Sequence, residues 1–350
     1  MYLNSKTEQA IWHSPFRPFF LLGALYGPIL EMTGIPHYTG LIPSMGSPSV
    51  SLPTLWHQHE IVFGFSTAII FGFILTALPS WAGTDELKKN SLILLVCSWL
   101  PGRLAVAFSG LLPLPLVAFA DRSFLPVFVL QFAPGLRNVN FRTSMGLLVI
   151  AADFFAGNPC YYLGVLQQDQ QLWQGGLRIG LYAMIFHCSV TLGILGSIFT
   201  ENALLEDGRP TDIGHVAILK RLSAASIIAL AVADIGAASA PIGGALGLMS
   251  LGLMTLVTLH HTGRELRPHP AMVAAYLVLA AAALLRVAVP VGSLGRELLL
   301  LSALLWVAPY LIYLHSTATC CWHPAWLSSP TVLMPPRCPC RIDNRKYGEL

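Results

Sequence analysis

The chain has 350 residues, 55% of them hydrophobic and 11% charged, with a net charge of +3 and a mean hydropathy of +0.65. A soluble domain carries about 25% charged residues, so this composition cannot clothe a water-exposed surface. The small net charge, with no basic stripe and interleaved aromatics, argues against a nucleic-acid partner. The absence of a Walker loop, nucleophile elbow or dinucleotide fingerprint argues against a nucleotide-driven pump and the common hydrolases.

A membrane-crossing helix needs roughly 20 apolar residues. Residues 1–16 are mixed polar and aromatic with no small-residue cleavage site after them, so the first apolar run, Phe19–Ile35, is expected to stay in the protein. Next comes an outer loop, Pro36–His59, without Lys or Arg, then a run at Glu60–Trp81. Ser91–Leu112 and Pro113–Phe132 are split only at Leu112-Pro113-Leu114-Pro115, a proline turn that suits a helical hairpin. Thr143–Leu166, Leu177–Phe199, Leu222–Ile235, Pro241–Leu259, Ala271–Val291 and Glu297–Leu314 complete the series. The expectation is an all-α fold, a polytopic transmembrane helical bundle of about ten helices in the lipid bilayer. A membrane domain spans residues 1–317, and a Pro/Cys-rich tail follows at 318–350.

Lys and Arg set the orientation. With the N-terminus inside, fifteen of them fall on inner segments and only Arg178 and Arg296 on outer ones. Both ends are therefore expected in the cytoplasm, as is the tail with Cys320, Cys321, Cys338 and Cys340. Its adjacent cysteines and Cys-x-Cys fit structural zinc poorly, and a cytoplasmic location disfavours disulfides.

Ionisable groups inside membrane helices are functional candidates by default. Arg103 lies within the third run, with Asp121 and Arg122 within the fourth. Across the proline hairpin, Arg103 and Asp121 reach similar depth, either as a structural ion pair or as part of a proton or anion path. Asp153 and Arg286 have no assigned partner. Gly243-x-x-x-Gly247 reads as close helix packing.

The histidines are the metal candidates. His57-Gln58-His59-Glu60 sits at the outer mouth of the second helix. His-x-His with a carboxylate beside it suits copper, or one axial ligand to haem. The alternative is a solvated interfacial turn anchored by Trp56. His260-His261-Thr262-Gly263-Arg264 closes the eighth run on the inner side, where glycine and cationic side chains also suit a helix C-terminus. His187 is mid-membrane and is expected to bond a backbone carbonyl, with a ligand role as the alternative.

Several segments together resemble one family, the NnrS proteins. They are Phe16-Arg17-Pro18-Phe19-Phe20-Leu21; Trp56-His57-Gln58-His59-Glu60 running into Phe63-Gly64-Phe65; Gly72-Phe73-Ile74-Leu75-Thr76-Ala77-Leu78-Pro79; Gly102-Arg103-Leu104-Ala105; Asp121; and Leu253-Met254-Thr255 with His261-Thr262-Gly263-Arg264. The resemblance covers most of the chain up to about Pro290. It implies a multi-pass protein of the bacterial inner membrane, linked to nitric oxide and nitrosative stress and containing haem and copper. It implies His57, His59 and His261 as haem or metal ligands, with Glu60 in the metal set and Arg264 in the same motif. Family members usually have about twelve helices; here a five-residue link between Ile235 and Pro241 stands where two more belong. Because His57 and His59 fall outside and His261 inside, about 30 Å of bilayer core separates them; either there are two sites, which is the expectation, or one segment is re-entrant.

Three functions remain open at this level: a haem- and copper-binding protein of the nitric oxide response, with nitric oxide as a ligand; a small-molecule or ion permease using Arg103 and Asp121; and a non-catalytic sensor or assembly protein. No catalytic residue is assigned.

Overall fold

The computed structural model of the chain describes residues 11–38, 53–82, 84–87, 89–136, 156–206, 250–255, 257–258, 270–288 and 296–322. Secondary structure within them is helical, without strands. The helices are α1 (Phe16–Tyr38), α2 (Pro53–His59), α3 (Ser66–Ala82), α4 (Lys89–Ala107), α5 (Leu114–Arg122), α6 (Phe124–Leu136), α7 (residues 156–167), α8 (Gln170–Glu206), α9 (Pro270–Ala288) and α10 (Arg296–Trp322). A π-helical turn, Glu60–Phe65, joins α2 to α3.

Among the described residues, five helical stretches are long and apolar enough to cross a membrane: Leu55–Pro79, Lys89–Ala107, Leu114–Gln131, Gln170–Gly193 and Glu297–His315. Pro270–Leu285 is a shorter apolar helix. The 23-residue α1 is long enough but less apolar, because it carries Arg17 and Glu31, and it hides both. The first of the five spans is the central one: 89% of its apolar window is buried, against 28% for Leu114–Gln131. The chain is thus a membrane protein with α3 wrapped by its neighbours and α5–α6 at the periphery. α10 packs on α9 and α1, α1 on α3, and α5 on α4.

The helix of the second expected run begins seven residues before the point expected from hydropathy. Helix starts at Pro53 and runs without a break through His57, His59 and Glu60 into α3. The physical reason is that backbone polar groups in lipid must be paired within the segment, so a continuous helix replaces a loose outer turn. His59 and Glu60 consequently lie inside the span, about 6–8 Å along the axis from Leu55 at 1.5 Å per residue.

The π turn widens the helix by one residue, and nearby hydroxyls take up its carbonyls. Ser66 Oγ donates to the Ile61 carbonyl at 2.5 Å, and Thr67 Oγ1 lies 2.8 Å from the Phe63 carbonyl and 2.6 Å from that of Gly64. Such turns are frequent at functional sites.

At the hairpin, α4 ends at Ala107 and Pro113 caps α5, with Pro115 in its first turn. The two helices touch through Gly102. A Cβ there would sit 2.8 Å from Asp121 Cα, against backbone that cannot swing away. Gly102→Ala is expected to part the hairpin and cost about 1–3 kcal/mol, read as a lower unfolding midpoint in detergent.

The link between the fifth and sixth expected runs is short. Gln168 takes the left-handed conformation (φ 56°), and Asp169 Oδ1 accepts from the N–H groups of Gln171 (2.9 Å) and Leu172 (3.1 Å). Two orphan donors of α8 are satisfied in this way. Asp169→Ala is expected to lower stability by about 1 kcal/mol, measured by reversible denaturation in mixed micelles. Arg178, expected on an outer segment, lies within α8. At the other end, α10 runs to Trp322, so the first residues of the expected tail are helical. The seventh run, most of the eighth, and residues Asp153, His261 and Arg264 lie outside the described residues.

Candidate metal centre

One buried layer gathers charged and polar groups from five helical segments. From the π turn and its N-terminal edge come Glu60 and His59; from α4, Arg103; from α5, Asp121; from α7, Asn158 and Tyr162; from α1, Tyr26. Arg103 Nη2 donates to Asp121 Oδ1, closing the hairpin pair. Arg103 Nη1 stands 3.3 Å from Glu60 Oε2, which also accepts from the Tyr26 hydroxyl. His59 Nδ1 lies 2.9 Å from Glu60 Oε1. Asp121 Oδ2 accepts from Asn158 Nδ2 at 2.7 Å and from the Tyr162 hydroxyl at 3.2 Å. His59, Glu60, Arg103 and Asp121 are each buried.

Two helix geometries bring these groups to the same depth. His59 is four residues in from Leu55 and Arg103 four residues back from Ala107, about 6 Å in each case at 1.5 Å per residue. Gly64 then leaves room for the guanidinium. A Cβ at that position would fall 2.7 Å from Glu60 Oε2, 3.1 Å from the Tyr26 ring and closer still to Arg103. Gly64→Ala is expected to push Arg103 off Glu60 and to lower the unfolding midpoint more than an alanine at Gly175, where the added Cβ meets nothing within 4 Å.

His59, Glu60 and Asp121 each offer one ligand atom, all within 4.8 Å of one another. His59 Nε2 is fully buried and lacks a hydrogen-bond partner, although Asp121 Oδ2 is 3.3 Å away. Proximity without hydrogen-bond geometry suits two groups facing a common third centre. One imidazole nitrogen with two carboxylate oxygens matches the donors that copper, iron or zinc accept. The set carries two carboxylates against one guanidinium, so with neutral imidazole it holds an excess negative charge that a cation offsets.

Haem does not fit at His59. Its ring is packed by Tyr161, Phe63 and Tyr162, with centroids 4.5, 5.2 and 5.4 Å away. The adjoining cavity, bounded by Phe63, Trp99, Arg103, Asp121 and Asn158 among others, has a volume of about 10 Å³. That is room for one water, which needs roughly 10–15 Å³, and not for a porphyrin.

The other candidates fall elsewhere. His57, two residues from His59, faces away from it, because i and i+2 do not share a helix face. Its Nε2 is 3.7 Å from Glu31 on α1, and its ring packs on Gly34. Arg17 is buried 14 residues before Glu31, about 21 Å along α1, with its guanidinium over the Phe16 ring. His187 Nε2 faces the Thr191 hydroxyl at 3.4 Å, where a backbone carbonyl was the expected partner, and Nδ1 has no partner. The one-turn spacing to Thr191 accounts for this choice.

Sequence reasoning missed Asn158, Tyr26, Tyr162 and Glu31. An Asn or Glu inside an apolar run is itself a signal; the tyrosines gave none, since a membrane tyrosine is ordinary.

A helical bundle that buries imidazole, guanidinium and two carboxylates at one depth defines a multi-pass membrane protein with a charged, metal-competent centre. The sequence profile of the family described as NnrS protein matches residues 10–243 and 240–324, and the chain belongs to the NnrS family. The two matched pieces overlap at residues 240–243, at the end of the five-residue link. No curated protein and no solved structure matches the chain.

Proposed function

We propose that the chain is a multi-pass protein of the bacterial inner membrane that acts in the nitric oxide response and holds copper at His59, Glu60 and Asp121. Membership of the NnrS family is consistent with a link to nitric oxide. The observation that carries the metal reading is three ligand atoms within 4.8 Å, fully buried in membrane-spanning helix, one of them a nitrogen that faces Asp121 Oδ2 at 3.3 Å without a hydrogen bond. The Lys and Arg distribution supports about ten helices with both ends cytoplasmic. On that orientation the centre lies toward the outer face, close to the α4–α5 turn.

Copper bound there would supply one-electron chemistry and a Lewis-acidic contact for a nitrogen oxide. The chain's residues do the rest. Tyr26 donates to Glu60 Oε2 and Tyr162 to Asp121 Oδ2, and outer partners of this kind commonly govern metal affinity 10–100-fold. Arg103 offsets one negative charge, and Phe63, Tyr161 and Trp99 keep bulk water away. Haem, which the resemblance implies, is assigned away from His59; His57 and His261 remain its candidates.

The test is copper content and the visible spectrum of detergent-purified protein, with and without nitric oxide. About one copper per chain is expected. A preparation with neither copper nor a Soret band rejects the reading. The permease reading draws on the same Arg103–Asp121 pair; solute flux in liposomes that survives chelation and fails in Arg103→Ala would establish it instead.

A further inference from the structure

The interface of α1 with α2 and the π turn holds a second pair of donors, one turn outward from the centre. The two segments run antiparallel. A Cβ at Gly34 would lie 2.8 Å from His57 Cγ, one at Gly64 3.1 Å from the Tyr26 ring, and one at Gly72 2.7 Å from Phe19 Cβ. His57 therefore meets the outer part of α1 and Glu60 its middle, where Tyr26 donates to Glu60 Oε2. Glu31 stands between these levels, and His57 Nε2 is 3.7 Å from its Oε1. Two donors about 2 Å from one ion are at most about 4 Å apart, so this separation spans an ion without movement of either group. Exposure falls steeply along the line: the side chain of His57 is 17% exposed, that of Glu31 2%, and those of His59 and Glu60 0%. His57 and Glu60 are three residues apart, so they share a helix face about 4.5 Å apart along the axis. The rings of Tyr161, Phe63 and Tyr162 pack His59. Of the three ligands in the centre, Glu60 is thus the one on the face that leads to the mouth.

We infer that His57 and Glu31 form the entry for copper: they take up the divalent ion at the outer mouth and hand it one turn inward to Glu60. Imidazole and carboxylate are donors that divalent copper accepts. Two of them at a partly exposed mouth hold an ion loosely enough to release it. Three in the buried centre, with an excess negative charge, hold it more firmly, so transfer runs inward. The step is an exchange of donors around one ion, in which water is shed and no electron moves. The inference rests on the copper reading of the centre. It gives Glu31 a function beyond pairing α1 with α2, and it takes His57 out of the haem candidates.

The experiment is the rate of Cu(II) uptake and release by the full chain in detergent, stripped of metal beforehand. Uptake is stopped at intervals with a chelator and the bound copper assayed; release is followed into excess chelator. The variants are His57→Ala, Glu31→Gln and, as a control, Gln58→Ala, an exposed neighbour on another helix face. Uptake and release are each expected to slow by about tenfold or more in His57→Ala and in Glu31→Gln, a barrier increase of roughly 1.4 kcal/mol. Kd is expected to stay within about twofold of the parent, because a route crossed in both directions changes both rates alike. Gln58→Ala is expected to match the parent. Parental rates in His57→Ala and Glu31→Gln overturn the inference and leave the three-residue centre standing. Faster release with unchanged uptake makes His57 a ligand of the centre and overturns it too, as does a Soret band that His57→Ala abolishes. Should Glu31→Gln not fold, His57→Ala decides alone, since its side chain lies at the partly exposed mouth. A folded parent that takes up no Cu(II) sinks the copper reading, and the route with it.

Discussion

Arg103→Leu is expected to be the most damaging single substitution in the described bundle. The guanidinium bonds Asp121 Oδ1 and faces Glu60 Oε2 at 3.3 Å, and no other Lys or Arg pairs with either carboxylate among the described residues. Removing it leaves two carboxylates close together in a low-dielectric layer. Breaking a buried pair by deleting one partner costs about 3–5 kcal/mol, because the remaining charge is uncompensated. The measurement is the unfolding midpoint in detergent beside that of Arg103→Lys. Lysine keeps the charge but presents a compact ammonium in place of a planar fork, so an intermediate loss is expected. The double variant Arg103→Leu/Asp121→Leu should recover part of the stability, since the hairpin then buries apolar groups on both sides. If Arg103→Leu unfolds like the parent, the pair has no structural weight and the depth assigned to this layer is wrong.

The second large effect concerns metal content. Asp121→Ala and His59→Ala each remove one ligand of three and are expected to lower copper affinity well beyond the 10–100-fold typical of an outer-shell change. Tyr162→Phe removes only the bond to Asp121 Oδ2 and is expected to stay within that 10–100-fold range. His57→Ala is the discriminating variant. The resemblance places His57 among the ligands, whereas the geometry pairs it with Glu31 and leaves it out of the centre. Copper retained at the parental level in His57→Ala, with loss in Asp121→Ala, upholds the three-residue centre. The reverse pattern removes it. Competition titration with a chelator on matched, folded preparations gives both readings.

These contrasts show how much was readable along the chain. Arg103 and Asp121 stood out because charge inside an apolar run is expensive in lipid, and their hairpin followed from two prolines two positions apart, Pro113 and Pro115. His59 and Glu60 stood out by type. The start of their helix did not. Hydropathy drops across Trp56-His57-Gln58-His59-Glu60, and polar side chains there look like a surface turn. Backbone pairing keeps that stretch helical, and the polar groups are then met by partners from other helices. The tyrosines around the centre were silent for the opposite reason, since a phenol is equally at home against lipid, aromatic rings or a carboxylate.

Composition and periodicity by themselves determined that this is an all-helical membrane protein, and they marked the few ionisable residues that lipid would otherwise exclude. The motifs carried the family as well, because they are local strings that survive without their neighbours. What only the tertiary structure decided is which of those residues meet. His57 and His59 are neighbours in the chain yet face different helices, while His59 and Asp121, 62 positions apart in the numbering, converge to 3.3 Å. Side chains two apart on a helix diverge, and contacts between helices depend on packing angle and depth. Glycines at 64 and 102 let those helices approach closely enough for the charges to touch.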